Sequence, residues 1–276
     1  MGERGQRARS GGLPRSAAIL SRVTPLSALL ITKDEEARLP AALASLAFCD
    51  EIVVLDCGSG DRTREVAERA GARVSVNAPF PGFVSQRNLA LERASHDWVL
   101  CLDADERVTE ALRDEIQVLR QVGFTAAGYR IPRVAFYLGR WIRATDWYPD
   151  LQLRLFDRRH GRWQGGHVHE SVAVQGQAAV LRHEIEHHPY ADIADHMRRI
   201  DLYTTLWARH AFESGRRTGP LEMAGAAGWA FFRNYFLRGG VLLGGAGLTV
   251  STLNAYYTFA KLAKLGERLR QAETAR

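Results

Sequence analysis

Four short apolar runs recur between residues 26 and 102, and a segment with helical spacing separates each from the next. They are Leu26 to Thr32 (LSALLIT), Glu51 to Leu55 (EIVVL), Ala72 to Val76 (ARVSV) and Trp98 to Leu102 (WVLCL). Glu35 to Ala47 places Leu39, Leu43 and Leu46 on one face, with Pro40 in its first turns. A second helical stretch sets Val66, Ala67 and Ala70 inward and ends at Gly71; a third covers Ser85 to Ala94. Strand and helix in alternation bury their apolar faces as parallel β-α-β units. The sequence therefore predicts an α/β, doubly wound, mostly parallel sheet, and 276 residues suffice for one large domain with an appendage.

The texture changes after residue 123. Tyr129 to Arg143 and Asp146 to Arg158 are rich in Arg and aromatics with partial alternation, and read as antiparallel strands or acceptor loops. Asp192 to Glu213 shows helical spacing at Ile193, Met197, Ile200, Tyr203, Trp207 and Ala211. Residues 239 to 260 carry no charge and are bracketed by Arg233, Arg238, Lys261 and Lys264. The length would just span a bilayer, but five glycines among Ser, Thr and Asn make an interfacial or re-entrant helix pair the better reading. The expected organisation is a disordered basic arm at 1–25, a ligand-binding domain at 26–190 and a membrane-apposed helical region at 191–276. A net charge of +6, largely from Arg, favours anionic partners. Three cysteines without a Cys-x-x-Cys, and no signal-like apolar stretch, predict a reduced, cytosolic chain.

Chemistry concentrates at the ends of the strands. Asp103-Ala104-Asp105, followed by Glu106, closes the fourth apolar run, where open α/β sheets bind ligands. Grouped acids there need a cation or donors, and Mg²⁺ or Mn²⁺ carrying a substrate diphosphate supplies one. The competing reading is a solvated acidic turn capping the helix after Thr109. Asp56-Cys57-Gly58-Ser59-Gly60-Asp61 closes the second run: a carboxylate can accept from a base N–H or a ribose hydroxyl, the glycines permit close approach, and Asp61 is a candidate N-cap. This segment is neither a GxGxxG nor a P-loop. Thr32-Lys33-Asp34-Glu35 lies beside it and would complete a base pocket, and Arg87 is placed to meet a phosphate or to sit on a solvated helix face. His183-Glu184-Ile185-Glu186-His187 fits H-E-x-x-H, but Pro189 and the preceding Val-Leu pair point to a strand, which would disable a zinc-hydrolase site. Arg130, Arg133, Arg140, Trp141, Arg143, Trp147 and Arg154 suit sugars and phosphates, or solely structure; no nucleic-acid module signature accompanies them.

The succession TKDEE, EIVVLDCGSGDRT and GFVSQRNLALERASHDWVLCLDADERV resembles the inverting family 2 glycosyltransferases of GT-A fold. YRIPRVAFYLGRWIR, WYPDLQLRLF, HVHESV and NAYYTFAKLAKL resemble the bacterial lipopolysaccharide core branch. The resemblance spans residues 27 to 265 and implies a GT-A, Rossmann-like sheet with C-terminal amphipathic helices. It implies transfer of a hexose from a nucleotide sugar, UDP-glucose being the expected donor, to a lipid-linked oligosaccharide at the inner face of the cell membrane, with no nucleic-acid partner. Thr32, Glu35, Asp56, Arg87 and Asp103 would bind the nucleotide sugar, Asp105 and His187 the metal, and Glu170 would be the general base, with Asp150 as its competitor. A different lipid-linked glycan, a polyprenyl phosphate, a non-catalytic binding module and the zinc hydrolase are the alternatives. The chain departs from the branch at Asp34, usually Asn, and near Leu243, where an acid is usual.

Overall fold

The computed structural model describes residues 23–165 and 170–274. All but the last three residues of the expected basic arm lie outside them, as does His169 beside the expected base. In chain order the elements are β1 (Leu26–Thr32), α1 (Leu39–Ser45), β2 (Glu51–Asp56), α2 (Thr63–Arg69), β3 (Arg73–Val76), α3 (Phe83–Arg93), β4 (Trp98–Cys101) and β5 (Glu106–Val108). There follow α4 (Glu110–Val122), β6 (Gly128–Tyr137), β7 (Arg140–Ile142), β8 (Asp150–Asp157), β9 (Gly161–Gln164), β10 (Ser171–Val174), β11 (Ala178–Val180) and β12 (Ile185–His187). The chain closes with α5 (Ile193–Glu213), α6 (Pro220–Phe232) and α7 (Gly244–Thr274).

The main sheet runs β3-β2-β1-β4-β8-β6-β12-β5, with β7 and β11 also on β6. The half built from β3, β2, β1 and β4 is parallel; β1, β2 and β4 are apolar and mostly buried, whereas β3 at the edge is partly exposed. Leu26, Leu30, Leu55, Leu100 and Leu102 form its interior with Leu39 and Ile116. Antiparallel β8 attaches to β4, and β6 to β8, as the alternation after residue 123 requires. The expected α/β, mostly parallel architecture is present.

Helix α1 starts at Leu39 rather than Glu35. Arg38 N and Leu39 N both donate to the Glu35 carbonyl in a turn, and Pro40 sits in the first helical turn, where no N–H is missed. The expected strand at Trp98 ends one residue early because Leu102 leads into the Asp103 turn. At the C-terminus α6 runs into a π-helical turn (Arg233–Leu237) and a 3₁₀ turn (Gly240–Leu243) before α7. The two helical arms are bent by 68°, and among the described residues no single helix is long and apolar enough to cross a membrane. Gly240 and Gly247 make the bend possible: a Cβ on Gly247 would overlap the Gly240 carbonyl, and one on Gly240 would lie 2.8 Å from the Asn234 carbonyl oxygen.

Candidate active site

The tips of β1 and β2 face each other in register, Thr32 opposite Asp56. Thr32 Oγ1 donates to Asp56 Oδ2 at 3.2 Å. Gly58 N (3.0 Å), Ser59 N (2.8 Å) and the Ser59 hydroxyl also donate to this fully buried carboxylate. Asp34 occupies a left-handed conformation (φ 54°), which Asp and Asn tolerate best. Its Oδ1 accepts from Gly60 N at 2.8 Å, and its own N–H donates to Ser59 Oγ at 2.9 Å. Arg62 rather than Asp61 stands at the N-cap of α2; Asp61, one residue earlier, accepts from Thr63 N at 2.9 Å and from Glu36 N at 3.1 Å. Glu35 stands beside Arg38 at 3.7 Å, and burial lifts its carboxyl above the usual range.

The two acids after β4 diverge. Asp103 turns inward to Arg87 and Arg154, each at 2.6 Å, and its N–H donates to Glu106 at 3.0 Å. Arg154 also reaches Glu106 at 2.8 Å; Arg133 joins Glu106 at 2.8 Å to Asp150 at 2.6 Å. Carboxylates and guanidiniums thus alternate through the crevice floor, and the acidic cluster is a buried ladder rather than a solvated turn. Burial opposes the charge on Asp103, but Arg154 and Arg87 outweigh it and hold its carboxyl well below the usual range. Arg87 is likewise no solvated residue: its guanidinium lies 4.4 Å over the Trp163 ring, and Asn88 holds the Trp163 main chain, donating to its carbonyl at 2.9 Å and accepting from its N–H at 3.0 Å.

Asp105 points the other way, to His187 at 3.5 Å. Antiparallel pairing of β5 and β12 sets His187 opposite Glu106, and His188 N donates to the Asp105 carbonyl at 2.8 Å. Burial raises the Asp105 pKa, but His187 more than offsets it and leaves the carboxyl below its ordinary value. His187 lies on a strand, so His183 and His187 do not share a helical face and the H-E-x-x-H condition fails. The other residues of that stretch are structural: Ile185 is in the core and Glu184 pairs with Arg143. Glu170 is half-buried immediately before β10 and has no hydrogen bond or ion pair among the described residues. Asp150 is committed: Oδ2 accepts Arg133 Nε and Nη2 (2.8 and 2.6 Å), and Oδ1 accepts Gln152 at 2.6 Å. Leu243 packs with Tyr137, Ile142 and Val250.

Sequence reasoning did not assign Glu106, Arg133 and Arg154 to this ladder, nor Trp163 to Arg87. Arg154 inside an otherwise apolar strand, LQLRLF, was the available signal, since an interior strand position holds a charge only beside its partner.

Residues 27–187 match the family described as Glycosyl transferase family 2. The chain is 30% identical over 250 residues to the lipopolysaccharide core biosynthesis glycosyltransferase LpsC of Rhizobium meliloti (strain 1021), covering 88% of this chain and 93% of LpsC. It is 28% identical over 258 residues to an uncharacterized glycosyltransferase of Rickettsia typhi, covering 88% and 87%. Among solved structures, S. aureus TarS 1–349 in complex with UDP aligns at 14% identity and a TM-score of 0.45, over 90% of this chain and 92% of that one. The chain belongs to glycosyltransferase family 2.

Proposed function

We propose that this chain is an inverting, metal-dependent hexosyltransferase that uses a UDP-linked hexose, with UDP-glucose the first candidate, and glycosylates a lipid-linked core oligosaccharide at the cytoplasmic face of the membrane. The observation that carries the reading is the Asp105–His187 pair, 3.5 Å apart at the end of β4, in the same crevice as the Thr32–Asp56 pair. Thr32, Asp56 and Glu35 would hold the nucleoside. Asp103 and Arg87, already tied together, would line the ribose and diphosphate side.

A carboxylate with an imidazole suits Mn²⁺ or Mg²⁺, and these ions ordinarily take one or two protein ligands plus substrate phosphates. No cluster of three or more metal-ligating side chains occurs among the described residues, so the two-ligand pattern fits a cation completed by diphosphate oxygens. When bound, the ion would offset the charge developing on the departing nucleoside diphosphate. Glu170 is the preferred base because among the described residues nothing is bonded to its carboxylate, whereas Asp150 already accepts three hydrogen bonds.

Support for membrane apposition comes from the bent helical pair. Leu221, Trp229, Phe236, Leu237 and Leu242 are exposed along it, Leu221 at 91% and Leu242 at 83%, with Arg233 and Arg238 alongside. Apolar side chains flanked by cations suit an anionic lipid surface.

The deciding experiment offers a panel of nucleotide sugars with Mn²⁺, Mg²⁺ or EDTA and measures nucleoside diphosphate release with and without lipooligosaccharide. Metal-dependent release from one donor, stimulated by the glycolipid, is expected. Failure to bind any nucleotide sugar under every condition would sink the reading.

A further inference from the structure

A cavity of about 320 Å³ opens beside His187, lined among others by Arg133, Asp146, Trp147, Asp150 and Tyr190. Its volume falls at the lower end of the ~300–1,000 Å³ typical of small-molecule sites. Every Asp and Arg in that lining has a counter-charge: Asp150 with Arg133 at 2.6 Å, and Asp146 with Arg233 and with Arg238 at 3.9 Å. A phosphate entering there would find no uncommitted guanidinium in the lining. What the cavity offers instead is two aromatic rings, Trp147 and Tyr190, with centroids 5.9 Å apart, and carboxylates fixed as acceptors for hydroxyl groups.

The aromatic wall is not part of the sheet. It is the turn Thr145–Trp147, whose first residue is buried and left-handed (φ 64°). A β-branched residue holds that conformation only where its surroundings over-determine it. Here they come from the C-terminal helices. Thr145 N donates to the Arg238 carbonyl at 2.8 Å, and Asp146 N to Asn234 Oδ1 at 2.8 Å. Asn234 Nδ2 donates to Asp146 Oδ2 at 2.9 Å. Trp147 Nε1 donates to Asn254 Oδ1 at 3.1 Å, and Asn254 Nδ2 returns to Asn234 Oδ1 at 2.9 Å. Asn234, 1% exposed, is the shared member of this network. One side of the cavity therefore comes from β6, β8 and β12. The other comes from a turn held by the bent helical pair that carries the exposed apolar face.

We propose that this cavity takes an uncharged pyranose ring of the acceptor, with Trp147 as its stacking wall and Asn234 as the positioning residue for that wall. The proposal rests on the glycosyltransferase reading above. It adds the chemical class of the ring and the dependence of its site on the C-terminal helices.

The test is saturation-transfer NMR on the full chain with UDP and Mn²⁺, offering neutral methyl hexosides and the corresponding hexose phosphates. At least one neutral methyl glycoside should receive saturation and the hexose phosphates should not. Trp147→Ala should weaken glycoside affinity about 5- to 10-fold, the worth of one aromatic contact, and leave UDP binding unchanged. Trp147→Leu, which still fills the aromatic cluster, should lose the signal too, whereas Trp147→Phe should keep it. Asn234→Ala should weaken the glycoside and spare UDP. Binding of UDP without any neutral glycoside, binding of hexose phosphates alone, or an unchanged glycoside signal in Trp147→Leu would overturn the proposal. A glycoside signal that depends on Trp147 in a protein that does not bind UDP would overturn the donor-site reading and leave the cavity assignment standing.

Discussion

Asp103 and Arg154 meet at 2.6 Å behind the tip of β4, and the same guanidinium nitrogen reaches Glu106 at 2.8 Å. Asp103→Asn keeps the shape but leaves Arg87 and Arg154 with one carboxylate fewer. Removing one partner of a buried pair costs about 3–5 kcal/mol, and because Asp103 retains a quarter of its exposure the lower end is expected. Urea denaturation reads this directly. An unchanged midpoint would mean that the ladder contributes no stability.

A pH dependence centres on His196. Its Nδ1 stands 3.1 Å from the Tyr137 hydroxyl, its ring stacks on Tyr190 at 3.9 Å, and burial pushes its pKa down to about 4. The unfolded chain takes up this proton near pH 6.5, before the folded one does, so folding stability declines as pH falls from about 6.5 to 4. His196→Gln should flatten that window when Tm is followed against pH. A second loss lies lower. Burial disfavours the charge on Glu51, but hydrogen bonds from Ser27, Ser95 and Arg73 outweigh it and push its pKa down to about 2, so its contribution persists above about pH 4.3 and fades toward pH 2.

Asp105→Asn and His187→Ala test the cation. Each should remove the Mn²⁺-dependent gain in UDP affinity seen by calorimetry and cut transfer by several kcal/mol of barrier, on the order of 10³-fold. Retention of metal-dependent UDP binding in both variants would place the ion elsewhere.

Glu170→Gln should lower transfer about 10²–10⁴-fold while UDP-sugar affinity stays within a factor of two or so, the signature of a missing general base. Asp150→Asn should act differently, since it releases Arg133 and perturbs the ladder: its thermal stability should fall together with its rate. The opposite pattern would exchange the two roles.

Leu242→Glu together with Phe236→Glu places two anions on the exposed face of the bent pair. Co-sedimentation with vesicles containing anionic lipid should drop at least tenfold, with donor hydrolysis in detergent unaffected. Equal sedimentation of variant and parent would remove the membrane from the reading.

The parallel half of the sheet was legible because β1, β2 and β4 are continuous apolar runs and the polar residues at their tips follow at once in sequence. Helix α5 was legible from its period, and differs from the expectation by one residue at its start. The acid ladder was not. Asp103 finds Arg87 16 positions away and Arg154 51 away, and which Arg faces inward depends on the β6–β8 register, which a bulge shifts between Tyr129 and Arg130. A bulge changes the face on which later side chains emerge, and alternation in the sequence does not locate it. The bend before α7 was half legible: five glycines announced a weak span, but not that two of them press together.

That pressed contact has a mechanical consequence. Where Gly240 meets Gly247 the contact is main chain against main chain, closed at its edges by Ser251 and Leu243. Such a joint is a weld and not a hinge. A larger residue at either glycine has to open the joint, and the displacement falls on Asn234, which also holds the turn that carries Trp147.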